Sequence, residues 1–494
     1  MTLKITLISL YPDIASIGLR ILSSVLKQND FDVQMVFLPN IAAETSSNSR
    51  FVYQYKQETI AELIETCADS SLVGIGVMTN YFQGAVQITD ALKKNLSMPV
   101  IWGGIHPTIR PEESLDHADI VCIGEGEDAL LELVQAMKEK KNECSIKNLW
   151  FKKDGRIIKN PVRPLIQDLD SLPFCDYDLN CQILEGKKIL PMDALRLEKA
   201  LARTGISEYL GLTAYQTMAS RGCPHNCTYC CNSTLRRIYG HQKYVRRRSV
   251  GHLMDELITV KSRFAFIQAV WLSDDSFFAT TDDEIKQFSL TYKEKVGLPF
   301  YCLGSPTTIN ENKIKYLVDA GMVCIQMGIQ TGSLRVCKEI YHRRISNKQV
   351  LKAARIINTH NARMLPPFYD FILDNPYETQ EDILATLDLI LRLPKPYKLQ
   401  LFSLVLYPGT QLYEKAKTDG YVTDDKDQIY QKMYKFHQTN YLNFIFSLLN
   451  NNFPKPILRI LIQRHLVTIF NRKSMENVFG LVLSLGKMLK SIAR

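Results

Sequence analysis

Over the first 140 positions, apolar residues come in short unbroken runs, separated by stretches in which they recur every three or four residues. The runs at 5–10, 33–38, 72–78, 100–102 and 120–123 have the length and β-branched content of buried strands. The stretches at 18–27, 59–67, 85–94 and 127–140 have helical spacing. This alternation predicts an α/β fold built on a doubly wound parallel sheet, which receives ligands at the carboxyl ends of its strands. The loops there are 11–18, 77–82, 103–107 and 124–127. A hairpin turning at Asp154-Gly155 is expected within 148–160. A second alternation starts near residue 215, with strands at 216–220, 267–273, 300–303, 323–329, 368–373 and 399–406. Helices are expected between them, at 250–260, 283–292 and 381–393. Six strand–helix units are too few for a closed eightfold barrel. The expected segments are therefore a first domain at 1–142, a linker with its hairpin at 143–214, a partial barrel at 215–425 and a helical tail at 426–494.

Charge separates the tail from the rest. The 494-residue chain carries a net charge of +9, and residues 431–494 hold ten Lys or Arg against the single acid Glu476. The remainder is neutral, which argues against a nucleic-acid surface. Arg459, Arg464, Lys487, Lys490 and Arg494 are interleaved with apolar residues at helical spacing. Such a segment either packs on the barrel or lies on an anionic membrane. No run of eighteen apolar residues and no signal-peptide pattern appears, so a cytoplasmic protein, with peripheral membrane contact at most, is expected. The twelve cysteines lack disulfide-like pairing, in keeping with a reducing compartment.

Three of those cysteines carry the chemistry. Cys223, Cys227 and Cys230 stand in a C-x3-C-x2-C array within SRGCPHNCTYCCNS. A cube of four irons normally takes four thiolates, so three leave one iron open to another ligand. Structural zinc would need a fourth ligand, usually from a second pair of cysteines, and no second C-x2-C follows. His225 beside Pro224 reads as a turn residue, and Cys231 as a small packing residue.

The array, with Tyr229 just before its last cysteine, resembles the radical S-adenosylmethionine (SAM) superfamily. WGGIHPT at 102–108, PEE at 111–113 and DIVCIGEGE at 119–127 are similar to the cobalamin-binding domain fused ahead of many such enzymes. The resemblance covers residues 1 to about 425. It implies a Rossmann-like cobalamin-binding domain, then a partial (β/α)6 radical SAM barrel. Its cofactors would be a 4Fe-4S cluster on Cys223, Cys227 and Cys230, SAM chelated to the open iron, and cobalamin. Reductive cleavage of SAM would yield a 5′-deoxyadenosyl radical. The commonest outcome in the family is methylation of an unactivated carbon or phosphorus. Radical cyclisation or rearrangement is the alternative; a methylthiotransferase, which needs a second cysteine triad, and a non-enzymatic cobalamin or redox sensor rank lower.

The same resemblance implies the cofactor contacts. Tyr229 would lie near the SAM adenine, Asp274 and Asp275 would face its ammonium, and Gln330, Ser333 and Arg343 its ribose and carboxylate. Asp374 replaces a glycine often found in the fifth-strand motif. Ser16, Gly18, Met78, Thr79, Gly103, Gly104, His106, Glu125 and Gly126 would line the cobalamin. Many cobalamin proteins carry D-x-H-x-x-G after the first strand, but here Ala15 stands at the His position. The lower cobalt face is then empty, water-bound or served from another loop, where His106 is the remaining histidine. The partners implied are a small-molecule, lipid or peptide substrate and an external electron donor such as a flavodoxin or ferredoxin.

Overall fold

The computed structural model describes residues 3–39, 43–45, 51–432, 440–475 and 477–482. The chain divides into two compact units. One comprises Met1–Phe277, Lys286–Cys302 and Leu406–Lys432; the other Phe278–Ile285, Leu303–Val405 and Met433–Arg494.

The first unit contains the predicted parallel sheet. Its strands are β1 (Lys4–Ser9), β2 (Asp32–Phe37), β3 (Leu72–Gly76), β4 (Val100–Gly103) and β5 (Ile120–Cys122), in the order β2-β1-β3-β4-β5. All five residues of β3 are buried, as expected of a strand covered on both faces. The helices Ile17–Gln28, Phe82–Asn95 and Glu127–Glu139 follow β1, β3 and β5.

Residues 143–214 are not a free linker. The predicted hairpin forms β6 (Leu149–Lys153) and β7 (Arg156–Lys159) and extends the sheet beyond β5. A second hairpin, β8 (Cys181–Glu185) and β9 (Lys188–Pro191), extends the other edge beyond β2 and gives nine strands. Both hairpins cover edges that would otherwise expose unpaired backbone groups.

The same unit holds the first barrel strands, β10 (Ala214–Thr217), β11 (Ala269–Leu272) and β12 (Phe300–Gly304, whose last two residues belong to the second unit), paired in parallel. In the second unit β13 (Met322–Gln330), β14 (Phe368–Leu373) and β15 (Lys398–Ser403) pair in parallel, with helices Asn347–Asn358 and Gln380–Arg392 between them. The six predicted barrel strands are thus all present. The tail contributes helices Tyr441–Asn450, Lys455–Leu461 and Arg464–Phe470. Lys487, Lys490 and Arg494 lie outside the described residues. Among the described residues no helix is long and apolar enough to cross a membrane.

Candidate functional site

The cysteine loop leaves the end of β10 under the control of Asp274. This carboxylate is wholly buried and accepts hydrogen bonds from Ala219 N–H at 3.0 Å and from the Ser220 hydroxyl. Asp274 was expected to face the SAM ammonium, but both its oxygens already hold the chain that leads into the cysteines. Its neighbour Asp275 is the accessible carboxylate. Crowding around it raises its pKa against a hydrogen bond from Asn232, as at the floor of a concavity.

Cys227 is buried, while Cys223, Cys230 and Cys231 are half-buried, and none of the four forms a disulfide. Cys230 N–H donates to Cys227 O at 3.1 Å, and the helix Cys231–Tyr239 starts directly after the array. Arg236 caps Cys223 O, and Leu412 N–H donates to Thr228 O at 2.9 Å, so the segment after the barrel buttresses the loop. Burial pushes the Cys223 thiol up to about 12, whereas a hydrogen bond from Cys231 draws Cys230 downward. Among the described residues no three His, Cys, Asp or Glu converge on one metal ion. A cube takes one thiolate per iron, so its ligands stand apart instead of converging, and three neighbouring cysteines outside any disulfide fit that donor set.

The four ligand loops of the parallel sheet form one rim. Val77 N–H donates to Gly103 O at 2.8 Å, and His106 N–H to Val77 O at 3.1 Å. The Thr108 hydroxyl donates to Gly104 O at 2.7 Å and accepts from Gly124 N–H at 3.0 Å. Gly104 has φ 104°, and a Cβ there would press on Val77 O at 2.9 Å; at Gly124, φ 78°, it would collide with the Tyr239 hydroxyl. Ser16 is buried with φ 35° and hydrogen-bonds Ser9 through their hydroxyls at 2.5 Å. Gly18 faces open space, Met78 is 41% exposed, Gly103 is half-buried, and Gly126 begins the helix Glu127–Glu139.

Three expected cobalamin contacts sit differently. His106 is 0% exposed, with Nδ1 3.2 Å from the Thr79 hydroxyl and its ring between Phe82 and Tyr430 at centroid distances of 4.7 and 5.6 Å. It is a core histidine, sealed from any ligand in this arrangement, and Thr79, only 2% exposed, serves to hold it. The Glu125 carboxylate points to the barrel. It accepts from Arg221 at 3.0 Å, from Arg246 at 2.9 Å and from Ile166 N–H at 3.0 Å. Burial would raise its pKa, but the two arginines outweigh that and lower it. Arg221 also reaches the buried Glu127 at 2.5 Å.

Nothing in the sequence had marked Arg20, Arg221, Arg246 or Tyr430. Arg20 is 1% exposed and donates to the carbonyls of Ile14, Ala15 and Asp176, which shapes the loop after β1. Tyr430 donates to Glu113 at 2.7 Å. Only the position of Arg221, two residues before Cys223, was a signal that sequence could have offered.

In the second unit, β13 bulges between Gly328 and Gln330, and Gln330 takes φ 76°. Arg343 donates to Gly328 O at 2.9 Å and Ile329 O at 2.7 Å. It therefore braces the bulge, where a free guanidinium for the SAM carboxylate had been expected. Ser333, also an expected SAM contact, is 4% exposed; its hydroxyl donates to Asp382 at 2.5 Å and accepts from Val336 N–H at 3.2 Å. Gln330 and Tyr229 are half-buried and keep part of their surface accessible. Asp374 has φ 59° and accepts from Asn443 at 2.8 Å.

The sequence matches the B12 binding domain family over residues 3–134 and the radical SAM superfamily over residues 218–390. The chain belongs to the cobalamin-dependent radical SAM enzymes. Its cofactors are a 4Fe-4S cluster, SAM and cobalamin. This radical SAM chain is 28% identical, over 72% of its length and 71% of the relative's, to the uncharacterized methyltransferase PH0819 of Pyrococcus horikoshii. It is 23% identical to the bacteriochlorophyllide d C-8(2)-methyltransferase of Chlorobaculum tepidum, covering 74% of this chain and 72% of that one. Its fold is shared with the radical SAM methyltransferase TsrM of Kitasatospora setae, solved with cobalamin and a [4Fe-4S] cluster bound. That match has a TM-score of 0.62, 16% identity, and coverage of 85% of this chain and 75% of the other.

Proposed function

We propose that this enzyme methylates an unactivated carbon or phosphorus centre of a small molecule, lipid or peptide. The observation that carries the reading is the bond from Arg221, beside the cysteine array, to Glu125 and Glu127 on the strand-end rim of the cobalamin-binding fold. That contact brings the two cofactor-binding elements of one unit together, and proximity is what the protein contributes when cofactors carry the hard chemistry. When bound, the cluster with SAM supplies an oxidising carbon radical, and cobalamin supplies a transferable methyl group.

Cys223, Cys227 and Cys230 hold the cluster in this reading. Asp275 meets the SAM ammonium as an accessible carboxylate, while Tyr229 and Gln330 offer surface to the adenosine. Asp274, Ser333 and Arg343 act one step back, fixing the loops that carry these groups. Ser16, Gly18, Met78, Gly103, Gly104 and Gly126 form the cobalamin rim. The open space at Gly18 and the exposed Met78 suit a broad, largely apolar ring.

Anaerobic turnover with methyl-labelled SAM, cobalamin and a reductant tests this. Both 5′-deoxyadenosine and S-adenosylhomocysteine are expected. 5′-Deoxyadenosine without S-adenosylhomocysteine would favour cyclisation or rearrangement, and neither product would sink the reading. A flavodoxin or ferredoxin is the proposed electron donor, tested by replacing the chemical reductant.

The tail is proposed to rest on anionic lipid. Ile457, Ile460 and Ile469 are 44%, 54% and 49% exposed on helices that also carry Arg459 and Arg464. Co-sedimentation with phosphatidylglycerol but not phosphatidylcholine vesicles is expected, and equal recovery with both would refute it.

A further inference from the structure

The three strands of the second unit have one face on the helices and one turned away from them. Tyr369 packs on Tyr397 at 5.6 Å, and the Tyr397 hydroxyl bonds Ile390 O of the helix Gln380–Arg392. Residues 369, 371 and 373 therefore face the helices, and by strand alternation 368, 370 and 372 face away. On that second face, register pairs Asp370 with Gln400 and Ile372 with Phe402.

Asp370 stands out there. It is 7% exposed, and Oδ2 accepts from the Gln326 amide at 2.7 Å, whereas Oδ1 is buried with no hydrogen-bond partner. An unsatisfied carboxylate oxygen in such a place costs stability, and natural proteins keep few of them. Burial pushes this carboxyl up to about 7 despite Gln326 and the charge of Arg343. Above it, towards the strand ends, Ile372 and Phe402 are only half-buried. The face thus offers an apolar step leading down to a single strong acceptor.

We propose that this face receives the substrate, with Asp370 Oδ1 accepting a hydrogen bond from its N–H, hydroxyl or ammonium end and Ile372 and Phe402 packing on an apolar body. The inference deepens the methyltransferase reading, and rests on it only in naming the ligand a substrate. At a pH where the carboxyl is ionised, it disfavours acceptors that would present a carboxylate or phosphate to this point, since two like charges would meet without water between them.

Three probes with one apolar body separate the possibilities. Benzylamine, benzyl alcohol and benzoate are titrated by saturation-transfer NMR into the anaerobic, cluster- and cobalamin-loaded full chain at a pH where the carboxyl is ionised. Benzylamine is expected to bind about tenfold or more tighter than benzoate, the ratio of one lost charge-assisted hydrogen bond. Asp370→Leu is expected to abolish that preference, because the acceptor is removed. Asp370→Asn, which keeps an acceptor oxygen and the shape, should keep benzyl alcohol and lose the advantage of benzylamine. Equal binding of benzoate, or a preference that survives in both variants, overturns the proposal. SAM cleavage by the unmodified holoprotein, measured in parallel, reports separately on the radical SAM reading.

Discussion

Arg221 Nη1 lies 3.0 Å from Glu125 Oε1, so the residue two places before the first cluster cysteine is bonded to the strand-end rim of the cobalamin-binding sheet. The pair is not a surface ion pair. Glu127 and Arg246, its other partners, are 6% and 3% exposed in their side chains. Removing one member of such a group leaves the others charged and buried, which costs several kcal/mol.

Arg221→Met should therefore destabilise the first unit by about 3 kcal/mol and weaken cobalamin retention. Denaturant midpoints and bound cobalamin after gel filtration measure both. Adding Glu127→Gln to the variant should recover part of the loss, because it neutralises the orphaned carboxylate. A double variant no better than the single one would show that the ion pair is not what joins the rim to the cysteine loop.

Cys223→Ala, Cys227→Ala and Cys230→Ala should each lose the cluster and SAM cleavage, as followed by visible absorbance and 5′-deoxyadenosine. Cys231→Ala should keep both. Cys231 follows Cys230 directly, and its thiol holds the Cys230 pKa down; removing it should make the cluster potential more negative, since hydrogen bonds to cluster sulfurs raise potentials. An unchanged potential would place the Cys231 thiol away from the cluster.

The cobalt of the bound cofactor should lack a protein nitrogen below it. Ala15 stands where a ligating histidine would be, 4% exposed with its carbonyl held by Arg20, and His106 is sealed behind Phe82 and Tyr430. The EPR spectrum of the cob(II) form should therefore be unchanged when the protein, but not the cofactor, is uniformly labelled with nitrogen-15, since any nitrogen splitting comes from the cofactor's own base. A labelling effect that disappears in His106→Gln would mean that the histidine swings out when cofactor binds.

How much of this was legible follows from what each signal encodes. Unbroken apolar runs report burial on both faces and the 3.6-residue period burial on one, so all eleven strands expected in the two alternations appear within a few residues of their predicted ends. The edge hairpin 181–191 was missed because its strands carry Gln182, Glu185 and Lys188, the polar pattern of an edge. Motif reading placed polar groups at strand ends correctly but could not say which were already partnered. Asp274, Ser333 and Arg343 each satisfy backbone or a neighbour within the fold, and Asp275 alone of the acidic pair is open. Arg20 and Tyr430 act over long sequence separations, which no local pattern carries.

Acid stability offers a sharp test of the sealed histidine. Burial, helped by the charge of Arg110, holds the His106 pKa at about 3, against 6.5 for the ordinary side chain. Protons therefore bind the unfolded chain more readily than the folded one between those values. The stabilisation is complete above pH 6.5 and declines as the pH falls toward 3. At pH 5 the loss attributable to this residue is about 2 kcal/mol. Glu113 Oε2, 3.8 Å from Nε2, is the charge that could soften it. Denaturant unfolding at pH 7 and pH 5 should show a decline in the native protein that His106→Gln reduces by roughly that amount. Tyr430→Ala, which removes one side of the seal, should shrink the decline as well, because water then reaches the ring and its pKa moves back toward 6.5. An equal pH dependence in the native protein and His106→Gln would mean that the imidazole is not held neutral by burial.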